Sequence, residues 1–117
     1  MNKYQIGKLG EDLAEKYLKS KGFLTILKNF KVRGGEIDLI CRKGCKYFFI
    51  EVKTRTSNAF GYPEEALTYF KRQRLKTAIF RFLSQTKPFK WQVDLVGIEL
   101  DKKTKTARIR YYQNIEL

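Results

Sequence analysis

The chain has 117 residues, with 25 Lys and Arg against 12 Asp and Glu, a formal charge of +13 and no histidine. One domain fits that length, since domains run to about 100–150 residues. A hydrophobic content of 43%, with 9 Phe, 7 Tyr and the single Trp91, suffices for a buried core and excludes wholesale disorder. Without imidazole, His-based acid–base catalysis, Ser-His and Cys-His nucleophiles and His-ligated zinc all fall away, and the surplus charge favours a polyanionic partner.

Cys41 and Cys45 cannot furnish a four-thiolate zinc site, and a lone Cys-x3-Cys across a turn reads as two reduced thiols. The opening Met1-Asn2-Lys3-Tyr4-Gln5 leads into a charged amphipathic segment with no apolar signal core. The longest run of bulky apolar residues, Tyr47–Ile50, is far short of the ~20 needed to cross a bilayer. The expectation is a soluble, cytoplasmic, basic single domain over residues 1–117, with no membrane partner.

From Lys3 to about Ser20, Ile6, Leu9, Leu13 and Tyr17 recur with helical spacing, Ala14 and Leu18 widen the stripe, and Gly22 falls where a left-handed cap would end the helix. Leu24–Val32 then reads as a strand, Arg33-Gly34-Gly35 as a turn, Glu36–Arg42 as a second strand, Lys43-Gly44 as a second turn, and Lys46–Arg55 as a third strand. Short turns between them predict an antiparallel meander. Ser57–Pro63 carries the composition of a loop. A second helix begins between Glu64 and Lys71 and runs to about Ser84 on a stripe of Leu75, Ala78, Ile79 and Phe82, with Pro88 as a break. Trp91–Leu100 is apolar at both parities, as in a strand covered on both faces. Lys105–Tyr112 alternates and suits an edge. The order α-β-β-β-α-β-β predicts an α/β fold, a mixed central sheet flanked by helices.

Chemistry concentrates in Gly35-Glu36-Ile37-Asp38-Leu39-Ile40 and Phe49-Ile50-Glu51-Val52-Lys53. Strand alternation puts Glu36 and Asp38 on one face and Ile37, Leu39 and Cys41 on the other, and it puts Glu51 and Lys53 together. A register matching Asp38 to Glu51 brings two carboxylates and an ammonium onto one patch of an otherwise apolar sheet, a costly arrangement unless the charges are paired or metal-bound. Two facing carboxylates suit Mg²⁺ or Mn²⁺, which keeps waters and docks a substrate phosphate. Metal-assisted phosphodiester hydrolysis would follow, with Lys53 orienting the attacking water or steadying the charged phosphate. Charge pattern alone leaves open a structural ion-pair cluster or an edge strand facing water.

Gly10-Glu11-Asp12, Gly-Glu-Ile-Asp, Phe-Ile-Glu-Val-Lys-Thr-Arg and Phe-Gly-Tyr-Pro-Glu-Glu-Ala together resemble, in order and spacing, the YraN-like (UPF0102-type) family of small bacterial proteins. That family in turn resembles the PD-(D/E)XK nucleases of restriction-endonuclease-like fold, with archaeal Holliday junction resolvases as its nearest analogues. The resemblance implies a catalytic set of Glu11, Asp38, Glu51 and Lys53. Asp38 takes the place of the first metal-binding aspartate, Glu51-Val52-Lys53 that of the (D/E)-X-K triplet, and Glu11 that of a glutamate on the first helix. Ile37 stands where the superfamily's motif has proline.

At about 100° per residue Glu11 lies on the shoulder of the apolar stripe, beside Gly7, Ala14 and Leu18, from where it can lean towards Asp38; a plain surface glutamate is the alternative. Glu36, at a strand start, is expected in solvent. Lys71 shares the sheet-facing stripe of Leu75, placed for a scissile phosphate or for snorkelling to water. Asp94 needs a buried partner, for which an arginine, Arg55 or Arg81, is expected. Arg33, Arg55, Lys71, Arg72 and Arg74 would contact phosphates, giving affinity that falls with salt at roughly −0.9 in log–log slope per phosphate. Tyr62 and Phe60 could stack on an unpaired base, or Phe60 could pin its loop to the core. The expectation is a Mg²⁺- or Mn²⁺-dependent endonuclease on DNA, branched DNA by analogy, acting as a homodimer because two strands need two sites. The rival is a non-catalytic DNA- or RNA-binding protein of the same fold.

Overall fold

The computed structural model describes residues 1–56, 67–88 and 90–117. The expected loop over Ser57–Pro63, with Phe60 and Tyr62, lies outside the described residues.

Helix α1 (Lys3–Ser20) opens on a capping box in which the Asn2 and Gln5 side chains each accept the other residue's backbone N–H, at 2.8 and 3.0 Å. It ends at Lys21 and Gly22, whose φ of +92° is open to glycine at little cost. Strands β1 (Leu24–Val32), β2 (Gly35–Lys43) and β3 (Lys46–Arg55) form the expected antiparallel meander. Helix α2 (Tyr69–Thr86), capped by the Thr68 hydroxyl accepting from the Lys71 N–H, crosses over to β4 (Lys90–Asp101), which pairs parallel with β3. Strand β5 (Thr106–Tyr112) closes the five-stranded sheet antiparallel to β4, in the order β1-β2-β3-β4-β5. The element order and the mixed sheet agree with the sequence reading, and β5 is an edge.

The two helices cover opposite faces of the sheet. Ala14 and Leu18 of α1 pack with Leu39, Cys41, Ile50, Val96 and Ile98, while Leu75, Ala78, Ile79 and Phe82 of α2 pack with Ile37, Ile40, Phe49 and Val93. Each such side chain withdrawn from water contributes about 1.5–3 kcal/mol, so both layers are needed and β3 and β4 are buried on both sides. No described helix is long and apolar enough to cross a membrane. Cys41 is buried, Cys45 exposed, and both are free thiols.

One expectation fails in β2. Simple alternation places Ile37 with Leu39 and Cys41, yet Ile37 joins the α2 layer and the other two join the α1 layer. The break coincides with an irregularity across the ladder in β1. Asn29 has φ +51°, and the paired residues Lys28↔Leu39 and Phe30↔Ile37 straddle Asn29 and Asp38. A left-handed residue breaks the pleat, so side chains beyond it emerge on the opposite face. Lys28 accordingly reaches α1, where it pairs with Glu15 at 2.9 Å, whereas Phe30 packs beneath α2.

A second expectation fails at Asp94. Its carboxylate is fully buried, but its partners are the Tyr111 hydroxyl, the Gln92 amide at 2.7 Å and the Asn114 backbone N–H at 2.8 Å. Arg81 is exposed on α2, and Arg55 stands at the far end of β3, opposite Glu99. Three donors satisfy the buried carboxylate, and they anchor the chain after β5. Burial, then Asp94, raises the Tyr111 hydroxyl far above its ordinary value, so it stays a donor.

Candidate active site

The sheet forks where the charged residues sit. Strands β2 and β3 pair from Lys43↔Lys46 up to Leu39↔Ile50; beyond that point β2 continues against β1 and β3 against β4. The next pair along would have been Asp38 and Glu51. Instead the Asp38 carboxylate reaches sideways and its Oδ2 accepts the Val52 N–H at 2.8 Å, close enough to Glu51 for each carboxyl to feel the other.

Two glycines bring the helices to the fork. A Cβ on Gly10 would stand 1.8 Å from the Thr54 hydroxyl oxygen and 2.8 Å from its Cβ, so only glycine lets α1 lie this close to β3. The next residue, Glu11, is thereby carried to Asp38. On the other face a Cβ on Gly35 would stand 2.4 Å from the Arg74 carbonyl oxygen and 2.8 Å from the Ala78 N. That close seat of α2 on β2 carries Arg74, and Lys71 one turn earlier, to the same place.

A pocket of about 200 Å³ results, lined by Glu11, Glu36, Asp38, Glu51, Val52, Lys71 and Arg74. A larger groove of about 600 Å³ between α1 and the β4–β5 end is lined by Met1, Leu9, Leu13 and Leu100 among others and holds no carboxylate pair. The smaller pocket is the one that gathers the sequence-predicted Glu11, Asp38 and Glu51.

Its electrostatics follow from burial and from who faces whom. Desolvation, then the neighbouring Asp38, holds the Glu51 carboxyl well above the usual carboxylate range; Lys71 opposes this. Desolvation, then Asp38, also raises Glu11, and a hydrogen bond with the Asn29 side chain pulls back. Lys53, drawn from water and facing Lys71, is lowered to about 8. Three carboxyls, Glu11, Asp38 and Glu51, thus meet two lysines, Lys71 and Lys53, at the fork.

The structure therefore brings Glu11, Asp38, Glu51 and Lys53 together with Lys71 and Arg74. Glu36 is exposed at the rim, as expected. Arg33 is exposed in the β1–β2 turn, and Arg55 ends β3. Arg72 is turned elsewhere, its guanidinium donating to the carbonyls of Leu67 at 2.9 Å and Glu116 at 3.3 Å. Tyr62 lies outside the described residues. Asn29 is a site neighbour that sequence reasoning missed; an Asn set inside a strand was the available signal, because Asn tolerates φ above zero better than most residues.

Among the described residues, no group of three or more His, Cys, Asp or Glu stands in metal-holding geometry. The pair Asp38 and Glu51 does fit a hard cation. Burial and the facing Asp38 make a second negative charge at Glu51 costly, and a divalent ion held by one or two carboxylates can offset that cost.

What this fold and site define is an α/β domain with a carboxylate–lysine pocket in a forked mixed sheet. The sequence model of the family described as "Uncharacterised protein family UPF0102" matches residues 10–98, which hold α1 from Gly10 onward, the fork, α2 and most of β4. The chain is 37% identical to a UPF0102 protein of Carboxydothermus hydrogenoformans, with 98% of each chain covered, and 40% identical to one of Dictyoglomus thermophilum, with 97% of this chain and 98% of that one covered. A UPF0102 protein of Syntrophomonas wolfei is 43% identical over 90% of this chain and 94% of its own. The chain belongs to the UPF0102 family.

Proposed function

We propose that this protein is a metal-dependent nuclease that hydrolyses phosphodiester bonds of DNA, of restriction-endonuclease-like kind, working in the cytoplasm. The observation that carries the reading is the Asp38–Glu51 carboxyl pair at the fork with Lys53 and Lys71 beside it. Asp38 and Glu51 would hold Mg²⁺ or Mn²⁺. When bound, such an ion neutralises charge on the phosphate and acidifies a water.

The remaining roles fall to the chain's own groups. Lys53, on the same side of β3 as Glu51, orients the attacking water or donates to a non-bridging phosphate oxygen. Glu11 closes the pocket from the α1 side and, with Asn29, orients groups around Asp38. Lys71 and Arg74 seat the phosphate from the α2 side, and Arg33, Arg55 and the wider +13 surface hold the strand by sequence-independent contacts. Cutting both strands calls for two such pockets, so a homodimer completes the proposal.

The test is a cleavage screen over branched, flapped, duplex and single-stranded DNA and RNA with Mg²⁺ or Mn²⁺. Glu51→Ala and Asp38→Asn should abolish cutting and leave binding in place. Wild-type protein that binds these substrates and cuts none would sink the nuclease reading in favour of a non-catalytic nucleic-acid-binding protein.

A further inference from the structure

Two aromatic side chains open α2, immediately before the pocket-lining Lys71. Tyr69 is 78% and Phe70 69% exposed, immediately before Lys71. Phe70 lies one turn below Arg74, whose guanidinium carbon is 5.9 Å from the ring centroid. Lys71 and Arg74 both line the pocket. A solitary exposed aromatic is ordinary, but here the ring stands beside Arg74 and next in sequence to Lys71, both of which line the pocket that holds the carboxylate pair. The core does not use it, because α2 is seated by Leu75, Ala78, Ile79 and Phe82. Phenylalanine has no polar atom to offer water, so burial of the ring against another apolar surface is favourable.

Resting on the reading of the pocket as a nucleic-acid site, we infer that Phe70 is a stacking platform for one unpaired nucleobase whose flanking phosphate lies on Lys71 and Arg74. Charge complementarity selects the occupant: the positions beside the ring are cationic, on a chain of +13. A phosphodiester held there leaves its neighbouring base at the ring. Base–aromatic stacking tolerates any base, because every base has a π-face, and an Arg beside the ring strengthens it. Within a duplex those faces are covered by neighbouring bases. Phe70 therefore discriminates by structure, favouring a single strand, flap, mismatch or junction over continuous duplex.

The measurement is fluorescence anisotropy in EDTA, so that binding is read without cutting. A labelled single strand and a hairpin-closed duplex of equal length are compared, each also made with 2-aminopurine. Phe70→Ala should weaken single-strand binding about tenfold, the scale of one lost base stack, and leave duplex binding within about twofold. It should also remove the 2-aminopurine quenching seen with the wild type. Phe70→Trp should restore both, and an unchanged Tm for each variant shows that the fold is intact. An equal loss on both substrates, or no loss on the single strand, overturns the inference. So does a wild-type dimer that Phe70→Ala dissociates without changing single-strand binding, since the ring would then be a contact between copies. Cleavage with Mg²⁺ is scored separately: selective binding through Phe70 in a protein that never cuts supports the platform and removes the nuclease.

Discussion

Asp38 and Val52 are joined across the fork by a side chain doing the work of a backbone. Where β2 and β3 part, the Val52 N–H has no carbonyl opposite it in β2, and the Asp38 Oδ2 accepts it at 2.8 Å. One carboxylate oxygen thus maintains the sheet, and the carboxyl group as a whole faces Glu51.

Asp38 should therefore separate stability from activity. Asp38→Asn keeps an oxygen acceptor for Val52, so its Tm should stay close to the wild type while any metal-dependent cleavage disappears. Asp38→Ala leaves that N–H without its acceptor and should lose about 1–3 kcal/mol as well. Thermal unfolding of the two variants, side by side, is the check; equal destabilisation would refute the division.

The glycine seats should be intolerant in different ways. Gly10→Ala drives a Cβ into Thr54 and should cost about 1–3 kcal/mol, part of which Thr54→Gly restores by removing the opposing side chain. Gly35→Ala meets the backbone of α2 at Arg74 and Ala78, where no side-chain change can make room, and should cost more. A double-mutant cycle on Gly10 and Thr54 by urea unfolding measures the coupling.

Glu51 should make the cation-free protein less stable as pH rises. Its folded-state carboxyl lies above the ordinary value of 4.5, so the native state holds a proton that the unfolded chain releases. The native state binds more protons through that window, and stability falls with increasing pH. Lys53 acts in the opposite sense between about 8 and 10.5, where the folded chain has already shed the proton that the unfolded chain keeps. Glu51→Gln should flatten the decline and raise Tm at pH 8 by several degrees, about 4–8 °C per kcal/mol for a chain of this size class. On the proposed reading a cation competes with the Glu51 proton, so the rise in Tm on adding Mg²⁺ should be larger at pH 8 than at pH 6.

Arg72 and Lys71, neighbours in α2, should divide cleanly. Arg72 ties the chain before α2 to the C-terminal tail through the Leu67 and Glu116 carbonyls, so Arg72→Ala should cost about 1–3 kcal/mol and lower Tm. Lys71→Ala, exposed and lining the pocket, should leave Tm nearly unchanged while weakening DNA binding and reducing the salt slope by about 0.9. Melting curves and salt-dependent anisotropy on both variants decide it.

Strand and helix periodicity alone were sufficient for the order of elements, for the antiparallel meander and for the placing of Glu51 and Lys53 on one side of β3. These follow from local spacing, which chain geometry converts directly into a face. The same spacing misplaced Ile37, because β2 changes face at Asp38, on the rung opposite the left-handed Asn29 of β1. It also misassigned Asp94, whose partners Tyr111 and Asn114 are separated from it by 17 and 20 positions.

The sequence by itself determined that a basic, histidine-free domain would carry a carboxylate pair and a lysine on adjoining strands, since residue types and their parity are written in the chain. Only the tertiary structure decided that the strands fork at that pair, that Gly10 and Gly35 seat helices on opposite faces beside it, and that Lys71, Arg74 and Asn29 join it while Arg72 turns away. Those are meetings between elements far apart in the chain, decided by how closely two backbones can approach, and no single segment encodes that distance.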